Sequence, residues 1–451
     1  MMKRQANAPM KRISAEEAAG LVRPGMWLDY GAIFGQPDVF DAALAKRKSE
    51  LSNVGFRSCL SVKPRAVLEA DPEGEVFHWV NLHFSGYDRK MHDAGRANYM
   101  PVNLGEIPDY YRRFIEPIDI LVVKARPMDA DGNFNLSAAT LWLRAMIERA
   151  RMVIIEETTG IPHVLGDGVS IHKDEVDYVI AGDNAAAPEL PNPAPSEVDK
   201  AVARLIIDEI EDGSCLQIGI GGMPNAVCSL LQDSTAEDLG IHTEMLTDGI
   251  IDLYRAGRIT GARKQINPGK MVCTFALGST YLYDAIDHNP DVEFHAVDYT
   301  NLPQNIMQND KVVAINNTTQ MDLGGQAASE TDGHRHLTGT GGQAQFARGA
   351  YASKGGKSFI CLSSTFERRG ERRSRIVLGL TPGNAVTTTR ADMMYVVTEY
   401  GITNLKGKSM AERAKALIAL AHPDYREGLE RDAYDNGLIP RGYFGATVKP
   451  S

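Results

Sequence analysis

Short apolar runs recur along the whole chain, and stretches with a helical pattern separate them. Short β-branched runs that alternate with helices are typical of α/β units, whose parallel strands are buried on both faces of the sheet. The strands predicted in the first part of the chain are Met26–Tyr30, Val76–Phe84, Ile120–Ala125 and Met152–Glu156. The helical patterns between them are Phe40–Lys48 and Ala139–Arg149. The sequence therefore predicts an α/β fold with mainly parallel sheets.

The segment Gly182–Pro195 (GDNAAAPELPNPAP) interrupts this alternation, because it is rich in proline and has no apolar periodicity. Proline favours extended backbone and ends helices, so the segment is predicted to link two domains. Ser196 is placed to cap a helix directly after it. The predicted division is an N-terminal domain of residues 1–182, a linker of residues 183–195 and a C-terminal domain of residues 196–451.

After the linker the alternation resumes, which predicts a second domain of related design. The strands predicted there are Cys215–Ile220, Met271–Leu277, Val292–Val297, Val312–Ile315, Ser358–Leu362, Arg375–Leu378 and Met394–Thr398. The last clear helix is Ser409–Ala421, and a capping box of Ser409 and Glu412 begins it. We therefore expect two related open α/β domains with the active site in the cleft between them.

Length and charge exclude several classes of function. At about 100–200 residues per domain, 451 residues suffice for two or three domains. The net charge of −10 and the lack of a long basic run argue against nucleic acid or a membrane surface as the main partner. No stretch of about 18 apolar residues predicts a membrane span, and no apolar core follows the basic N-terminus as in a secretory signal.

The five cysteines favour a cytoplasmic protein. They are odd in number and far apart, and most lie in apolar runs, which is typical of reduced, buried thiols. No CxxC or HxxxH spacing suggests zinc, so no metal site is predicted.

The segment Ile218–Val227 (IGIGGMPNAV) is the first candidate for chemistry. A predicted strand runs into three glycines, Pro224 and a helix. Glycines let a ligand approach the backbone, and the amides at a helix start favour a phosphate or a developing oxyanion. A tight strand–helix turn of any α/β protein explains the segment at least as well. It has no GK[ST] of a P-loop, and Pro224 replaces the third glycine of a dinucleotide fingerprint.

Glu244 is the second candidate, because it stands beside Ile241, Met245 and Leu246 in GIHTEMLTD. A carboxylate among apolar residues at a strand end would be partly desolvated, which makes it a better nucleophile. From these residues alone, a surface glutamate at a sheet edge is the commoner explanation. His242 is interpreted as a hydrogen-bonded structural residue rather than a base.

Two further segments carry glycines or arginines. Thr338–Gln343 (TGTGGQ) has three glycines among small polar residues, which fits a loop that closes on a ligand and fits a plain long turn equally well. The pairs Arg368–Arg369 and Arg372–Arg373 could bind phosphate groups. A solvated charged loop is the commoner explanation for such pairs.

Taken in order, IGIGGMPNAV, GIHTEMLTDG and GTGGQ closely resemble the acetyl-CoA hydrolase/transferase family of class I CoA-transferases. The members that the chain most resembles are the butyryl-CoA:acetate and 4-hydroxybutyrate CoA-transferases of fermentative bacteria. The resemblance covers nearly the whole chain and includes FSGYDRKMHDAG at 84–95, NLGEIPDYYRRF at 103–114, INNTTQMDLGGQ at 315–326, GGQAQFARGAYASKGGKSF at 341–359, SRIVLGLTPGNAVTT at 374–388 and VVTEYGITNLKGKS at 396–409. Each segment alone is weak evidence, and their order is highly specific.

The resemblance implies a role for individual residues. The nucleophilic glutamate of the family falls on Glu244. The two loops that contact CoA fall on Gly219, Gly221, Gly222, Met223, Pro224 and Asn225, and on Gly341, Gly342 and Gln343. Arg369 is the expected contact to the CoA phosphates, and FGQPD at 34–38 resembles a loop that closes over the acyl group.

The resemblance further implies a transferase that moves CoA from a short-chain acyl-CoA, such as butyryl-CoA, to a small carboxylate, such as acetate. The expected path is a ping-pong reaction through a glutamyl-CoA thioester, with CoA as substrate and no permanently bound cofactor. A 4-hydroxybutyrate CoA-transferase, an acyl-CoA hydrolase on the same scaffold and a non-enzymatic CoA- or nucleotide-binding module are the alternatives. The expected assembly is a cytoplasmic homodimer or homotetramer.

Overall fold

Two eight-stranded sheets organise the chain in this computed structural model, which describes residues 6, 8–116, 118–190 and 192–440. We call the residues up to 181 the first half and those from 196 the second half. Neighbouring strands are parallel throughout the first sheet, and in the second sheet only the final pair is antiparallel. The predicted α/β class with mainly parallel sheets is therefore confirmed.

The first sheet lies within the first half and carries helices between its strands. In spatial order its strands are Lys11–Arg12, Tyr178–Ala181, Ala150–Glu157, Ile118–Ala125, Trp27–Ala32, Val54–Cys59, Phe77–Asn81 and Asn98–Tyr99. The α-helices are Ala15–Ala19, Val39–Ala45, Ala66–Ala70, Gly86–Asp93, Ile107–Arg113 and Leu143–Arg149. A small antiparallel pair, Asn133–Asn135 with Ser170–His172, lies beside this sheet.

The second sheet repeats the design in the second half. In spatial order its strands are Val292–Phe294, Met271–Cys273, Gly240–His242, Cys215–Ile218, Val312–Asn317, Lys357–Cys361, Tyr395–Thr398 and Gly401–Asn404. The α-helices are Glu197–Ile207, Gly222–Gln232, Asp248–Arg255, Thr280–Ile286, Val297–Asn301, Pro303–Ile306, Gln343–Ala352, Met410–Leu420 and Pro423–Asp435. None of the described helices is long and apolar enough to cross a lipid bilayer.

Short strands outside the two large sheets shape the loops near the carboxyl edge of the second sheet. They pair as Met245–Leu246 with Phe275–Ala276, Gln320–Asp322 with Ala327–Ala328 and Ile376–Val377, Thr331–Asp332 with Arg335–His336, and Thr365–Arg368 with Glu371–Ser374. Two of the predicted strands are wrong, because neither forms a single strand of the second large sheet. Met271–Leu277 is two strands in different sheets, and Arg375–Leu378 contributes only Ile376–Val377 to a small sheet.

The strand Val54–Cys59 is central to the first sheet but was not predicted from the sequence. All six of its residues are buried, including Arg57, whose guanidinium lies 2.9 Å from the carboxylate of Asp29. The indole of Trp27 covers Gly55 so closely that a Cβ there would lie 2.5 Å from it. A glycine and a buried ion pair therefore replace the apolar run by which the other strands were recognised.

Capping confirms two predicted helix starts. Ser196 and Asp199 form a capping box at Glu197–Ile207, and Ser409 and Glu412 form one at Met410–Leu420. Each box satisfies two backbone donors that a helix start leaves unpaired.

The proline-rich segment has no helix or strand among its described residues, from which Pro191 is missing. It is bonded to both halves, since the amide of Ala187 donates to the carbonyl of Gly160 and the amide of Leu190 to that of Gly278, both at 2.9 Å. The domain bounds 1–182, 183–195 and 196–451 stay a prediction. Residues 441–451 of the last domain lie outside the described residues.

The two halves share one apolar core. The rings of Phe34 and Tyr283 meet edge to face across it, with centroids 5.7 Å apart, and Ala139 pairs with Phe275 through an isolated β-bridge. Burial of apolar surface stabilises a fold by about 25 cal/mol per Å², so this shared core fixes one half against the other. That arrangement places the carboxyl edge of the second sheet against loops of the first half.

Candidate active site

A cavity of about 190 Å³ lies between the carboxyl edge of the second sheet and the first half. In open α/β sheets, this edge is where ligands bind. The first half contributes Leu60, His83 and Leu104 to the wall. The second half contributes Gln217, Ile218, Gly219, Ile220, Glu244, Met245, Phe275, Leu277, Asn316, Gly342, Gln343 and Phe346.

Glu244 stands where the chain passes from the strand Gly240–His242 to the short strand Met245–Leu246. Its backbone carbonyl accepts hydrogen bonds from the amides of Thr274 and Phe275, at 3.1 and 3.2 Å. The main chain is therefore held on the sheet while the partly buried side chain lines the cavity. The position at a strand end agrees with the sequence-based interpretation.

Burial raises the pKa of Glu244 to about 7, because an apolar surrounding disfavours the charged carboxylate. One interaction opposes this effect: the side-chain amide of Asn301 donates a 2.6 Å hydrogen bond to Oε2 of Glu244, which lowers the pKa. Near neutral pH the carboxyl group is thus divided between its protonated and ionised forms. A carboxylate that is poorly solvated but oriented by one donor is suited to act as a nucleophile.

Asn301 is itself held in place by its neighbours. The hydroxyl of Thr300 donates to Oδ1 of Asn301 at 2.8 Å, which leaves the amide nitrogen for Glu244. The carbonyl of Thr300 lies 2.9 Å from Nε2 of His242. Burial lowers the pKa of His242 to about 3, so its ring is neutral at neutral pH and donates from Nε2 to that carbonyl. His242 is therefore hydrogen-bonded, in agreement with its structural interpretation.

Gly342 brings the second glycine loop into contact with Glu244. A Cβ at this position would lie 2.2 Å from Oε2 of Glu244 and 2.5 Å from the amide nitrogen of Asn301, so no larger residue fits without a shift. Gly341 has a φ of +64°, which favours glycine, and its carbonyl accepts from the amide of Leu104 at 3.0 Å. Gln343 lines the cavity beside Gly342, and its amide donates to the hydroxyl of Thr388 at 3.0 Å.

The first glycine loop is divided between two cavities. Gly219 lines the cavity of Glu244, and Gly221, with a φ of +118°, precedes the helix Gly222–Gln232. Gly222 and Met223 instead line a second cavity of about 220 Å³. Of the six residues that the resemblance places in this loop, only Gly219 lines the Glu244 cavity.

The last two residues of that loop have packing contacts of their own. Pro224 is buried in the first turn of the helix. The side chain of Asn225 donates to Asn192 and, at 3.1 Å, to the carbonyl of Pro193. Asn225 thereby ties the helix start to the proline-rich segment.

Two other residue sets expected from the resemblance do not line the Glu244 cavity. Arg369 is exposed at the turn of the hairpin Thr365–Ser374, with a φ of +53°. In the segment 34–38, Phe34 packs on Tyr283, and Asp38 is 2.6 Å from Nζ of Lys124. That ion pair fixes the segment in the first half.

Several residues of the wall were missed from the sequence. The amide of Asn316 donates to Oε1 of Gln217 at 3.0 Å, so two strand ends present a paired amide surface. Burial lowers the pKa of His83 to about 4, and its Nε2 lies 2.7 Å from the hydroxyl of Thr338. Leu60, which has a φ of +50°, adds an apolar side chain from the first half. No short motif marks these positions, because chain segments far apart in sequence bring them together.

The electrostatics of the cavity are simple. Among the described residues of its wall, none is a lysine or arginine and Glu244 is the one carboxylic acid. No cluster of histidine, cysteine, aspartate or glutamate within the described ranges is arranged to hold a metal ion. The arrangement offers a carboxylate nucleophile, the Asn301 amide and two glycine loops whose backbone donors suit a developing oxyanion.

Comparisons with known proteins show which family the chain resembles. The family model for the acetyl-CoA hydrolase/transferase N-terminal domain matches residues 1–191, and that for the C-terminal domain matches residues 278–433. The butyryl-CoA:acetate CoA-transferase of Anaerostipes caccae is 44% identical over 425 residues, which cover 93% of this chain and 95% of that protein. The 4-hydroxybutyrate coenzyme A transferase of Clostridium kluyveri is 37% identical over 421 residues, covering 93% and 96%.

Solved structures show the same fold. RipA from Yersinia pestis superposes with a TM-score of 0.87 at 34% identity, covering 96% of this chain and 98% of that one. The 4-hydroxybutyrate CoA-transferase from Porphyromonas gingivalis gives a TM-score of 0.76 at 31% identity, covering 94% and 97%.

Proposed function

The chain belongs to the acetyl-CoA hydrolase/transferase family, and from this premise we propose that it is a CoA-transferase acting through Glu244. Its substrates are a short-chain acyl-CoA and a small carboxylic acid. The observation that carries the proposal is the carboxyl group of Glu244 in an apolar cavity, hydrogen-bonded to Asn301 and in contact with Gly342. A structural glutamate has no need of a cavity, an amide donor and a glycine loop together.

The reaction begins with the ionised Glu244. Its oxygen attacks the carbonyl carbon of the acyl-CoA, the carbon–sulfur bond breaks, and the products are an acyl–glutamyl anhydride and CoA thiolate. The thiolate then attacks the Glu244 carbonyl carbon, and the carbon–oxygen bond breaks to release the first acid as its carboxylate. Glu244 is left as a glutamyl-CoA thioester. An incoming carboxylate runs the same steps in reverse and leaves as the new acyl-CoA.

Each addition step places negative charge on a carbonyl oxygen. The amide of Asn301 is already aimed at the Glu244 carboxyl group and is placed to stabilise that charge. The backbone at Gly219 and Gly342 offers further donors without side-chain obstruction. One thioester replaces another at comparable energy, so the exchange requires neither ATP nor a metal ion. Covalent catalysis of this kind gives ping-pong kinetics.

The wall of the cavity favours an uncharged, apolar acyl group. Leu60, Leu104 and Phe346 supply hydrocarbon surface, and no described lining residue carries a positive charge. A second carboxylate, as in a dicarboxylic acyl group, would be buried here without a partner at a cost of several kcal/mol. We therefore propose butyryl-CoA as donor and acetate as acceptor, with 4-hydroxybutyryl-CoA as the alternative donor.

A donor panel tests this function. Purified protein is incubated with acetate and with butyryl-, 4-hydroxybutyryl- or succinyl-CoA, and both acetyl-CoA and free thiol are measured. We expect acetyl-CoA to form fastest from butyryl-CoA, whereas a hydrolase would release thiol without forming acetyl-CoA. Fastest transfer from succinyl-CoA would contradict the proposed acyl preference.

A second experiment tests the covalent intermediate. After incubation with butyryl-CoA, mass spectrometry should find the peptide that contains Glu244 heavier by one CoA residue. Glu244→Gln should give no adduct and no transfer, and Glu244→Asp should be severely impaired because its shorter side chain misplaces the nucleophile. An unmodified peptide in protein that is actively exchanging CoA would disprove the mechanism.

The remaining expectations from the resemblance belong to the same proposal. We propose that CoA contacts both glycine loops, Gly219, Gly221, Gly222, Met223, Pro224 and Asn225 with Gly341, Gly342 and Gln343, and that Arg369 contributes from its hairpin. CoA is bound as a substrate, and no permanent cofactor is proposed. We also propose a homo-oligomer in the cytoplasm, and domains divided at residues 183–195.

A further inference from the structure

The turn that follows the strand Val54–Cys59 brings Leu60 into the wall of the Glu244 cavity. Leu60 has a φ of +50°, a left-handed conformation that residues other than glycine rarely adopt. Such a conformation persists only where the surrounding structure holds it, and it is often found at functional sites. The contacts that hold this turn are therefore candidates for a role in the reaction.

Hydrogen bonds hold the backbone before and at Leu60. The carbonyl of Cys59 accepts from the side-chain amide of Gln36, and the amide of Leu60 donates to the carbonyl of His83, both at 2.9 Å. His83 itself lines the same cavity. One hydrogen bond thus joins two of the three residues that the first half contributes to the wall.

Asp88 holds the next residue of the turn. Its Oδ2 accepts from the amide of Ser61 at 2.9 Å and from the amide of Ser85 at 2.8 Å. The hydroxyl of Ser85 donates to the carbonyl of Ser61 at 2.6 Å, so both backbone polar groups of Ser61 are bonded to this pair. Asp88 is completely buried in the first turn of the helix Gly86–Asp93.

The bonds of Asp88 go beyond those of a helix cap. Ser85 and Asp88 form a capping box, which requires only the bonds between these two residues. The further bond from Ser61 joins the helix to the turn, across 27 residues of sequence. Burial raises the pKa of Asp88, and its bonds to the two backbone amides lower it. A buried carboxyl group is costly unless it is hydrogen-bonded, so the helix and the turn are held together firmly.

We propose that Asp88 is a positioning residue, which holds Leu60 in its left-handed conformation and thereby sets the length of acyl chain that the cavity accepts. This inference rests on the proposed function, in which Leu60 supplies apolar surface to the acyl group. Without the bond from Ser61, the turn is free to relax to the negative φ that leucine prefers. The side chain of Leu60 then leaves the wall, and discrimination between acyl chains decreases.

A double-mutant cycle tests this role. Acyl preference is measured as the ratio of kcat/KM for butyryl-CoA to that for acetyl-CoA, with propionate as acceptor. One methylene in an apolar pocket changes discrimination by about 10–200-fold, so Leu60→Ala and Asp88→Ala should each lower this ratio at least about fivefold. In the double variant, Asp88→Ala should lower the ratio no more than about twofold beyond Leu60→Ala, because the contact through which it acts is already absent.

Two further variants separate positioning from general support of the fold. Asp88→Asn keeps an oxygen that can accept from both amides, so its ratio should stay within about twofold of the wild type. Asp71→Ala is the matched control, since Asp71 is also completely buried in the first half and its Oδ2 accepts from the amides of Val76 and Phe77, both at 2.9 Å. Neither of these donors belongs to the cavity wall, so this variant should lower the Tm without changing the ratio.

The contrary outcomes overturn the assignment. They are an unchanged ratio in Leu60→Ala or Asp88→Ala, an equal loss in Asp88→Asn or Asp71→Ala, and a loss that multiplies with that of Leu60→Ala. If Asp88→Ala does not fold, Ser85→Ala, which removes the bond to the Ser61 carbonyl, replaces it in the same cycle.

A structural measurement separates this inference from the proposed function. If the wild-type protein transfers CoA to no acid, the proposed function fails. Crystal structures of the wild type and of Asp88→Ala then decide the role of Asp88 independently. We expect the φ of Leu60 to become negative in the variant, and a value that stays near +50° would disprove the inference.

Discussion

The side-chain amide of Asn301 lies 2.6 Å from Oε2 of Glu244, although 57 residues separate the two in sequence. Asn301 ends the helix Val297–Asn301, and Thr300 fixes its amide orientation. The contact acts on the carboxyl group in two ways, since it opposes the effect of burial on the pKa and orients one oxygen. The proposed nucleophile is therefore defined by a tertiary contact as much as by its own segment.

Replacement of Asn301 by alanine should lower kcat by about 10²–10³-fold, the usual effect of losing one oxyanion donor. KM for the acyl-CoA should change much less, because the contact is to the reacting group rather than to the body of CoA. Steady-state kinetics measure both constants. Asn305→Ala is the control, since its amide bonds carbonyls of the same helix segment. A loss of kcat no greater than in this control would remove Asn301 from the proposed mechanism.

Replacement of Gly342 by alanine should abolish transfer while leaving the fold intact. The added methyl group would lie 2.2 Å from Oε2 of Glu244, so either the loop or the carboxylate must move. Activity and thermal unfolding are measured together. Gly379→Ala is the matched control, because no atom lies within 4 Å of its Cβ position. Full activity in Gly342→Ala would show that the loop and Glu244 are not in contact in solution.

The transfer rate should depend on pH through Glu244. In the proposed mechanism only the ionised carboxylate attacks the thioester, so kcat/KM should rise with pH and level off above a pKa of about 7. Asn301→Ala should shift this rise in kcat/KM to higher pH, because the hydrogen bond that it removes lowers the pKa of Glu244 in the wild type. The rates are measured below and above this pKa with butyryl-CoA as donor and acetate as acceptor. A rise in kcat/KM centred on the ordinary pKa of a glutamate would contradict the burial of Glu244.

Folding stability should show the opposite dependence on pH. The pKa of Glu244 in the folded protein is about 7 against an ordinary value of 4.5, so between these pH values the folded state holds a proton that the unfolded state has released. Stability from this group therefore falls as pH rises from about 4.5 to about 7. Glu244→Gln should be more stable than wild type at pH 8 by roughly 1–3 kcal/mol, and about equal at pH 4. The free energy of unfolding of both proteins, measured with denaturant at the two pH values, tests this prediction.

The second glycine loop should depend on Tyr99 of the first half. The amide of Thr340 donates to the Tyr99 hydroxyl at 3.0 Å, and that hydroxyl lies 3.1 Å from Oγ1 of Thr340. Tyr99→Phe removes both bonds, and at about 1 kcal/mol for each it should lower kcat/KM by up to about 30-fold. Tyr351→Phe, at an exposed tyrosine, is the control. Equal kinetics in the two variants would show that the loop is held without Tyr99.

The sequence was sufficient for the fold class and for part of the candidate site. Apolar runs identified four of the eight strands of the first sheet and six of the eight of the second. Gly219, Glu244, Gly342 and Gln343, all predicted site residues, line one cavity. The strand Val54–Cys59 could not be found in this way. Its Arg57 is neutralised by Asp29, a pairing that only the folded sheet reveals.

The details of the site depended on tertiary structure. Asn301 has no motif around it, and it meets Glu244 only when the end of the helix Val297–Asn301 packs beside the end of the strand Gly240–His242. The first glycine loop was expected as one unit, yet Gly219 and Gly222 line different cavities because the helix begins between them. Arg375 was predicted as part of a strand, and only the folded structure shows its half-buried side chain bonded to Thr319 and Ser363.

The division of the Glu244 cavity between the halves bears on how such enzymes diversify. Leu60, His83 and Leu104 come from the first half, whereas Glu244, the glycine-loop residues and the rest of the apolar wall come from the second. A chimera joined within the proline-rich segment would exchange the part of the wall that Leu60, His83 and Leu104 form, and would keep Glu244, Asn301 and the apolar residues of the second half together. Recombination at a single point would then vary one side of the cavity without redesign of the proposed reacting groups.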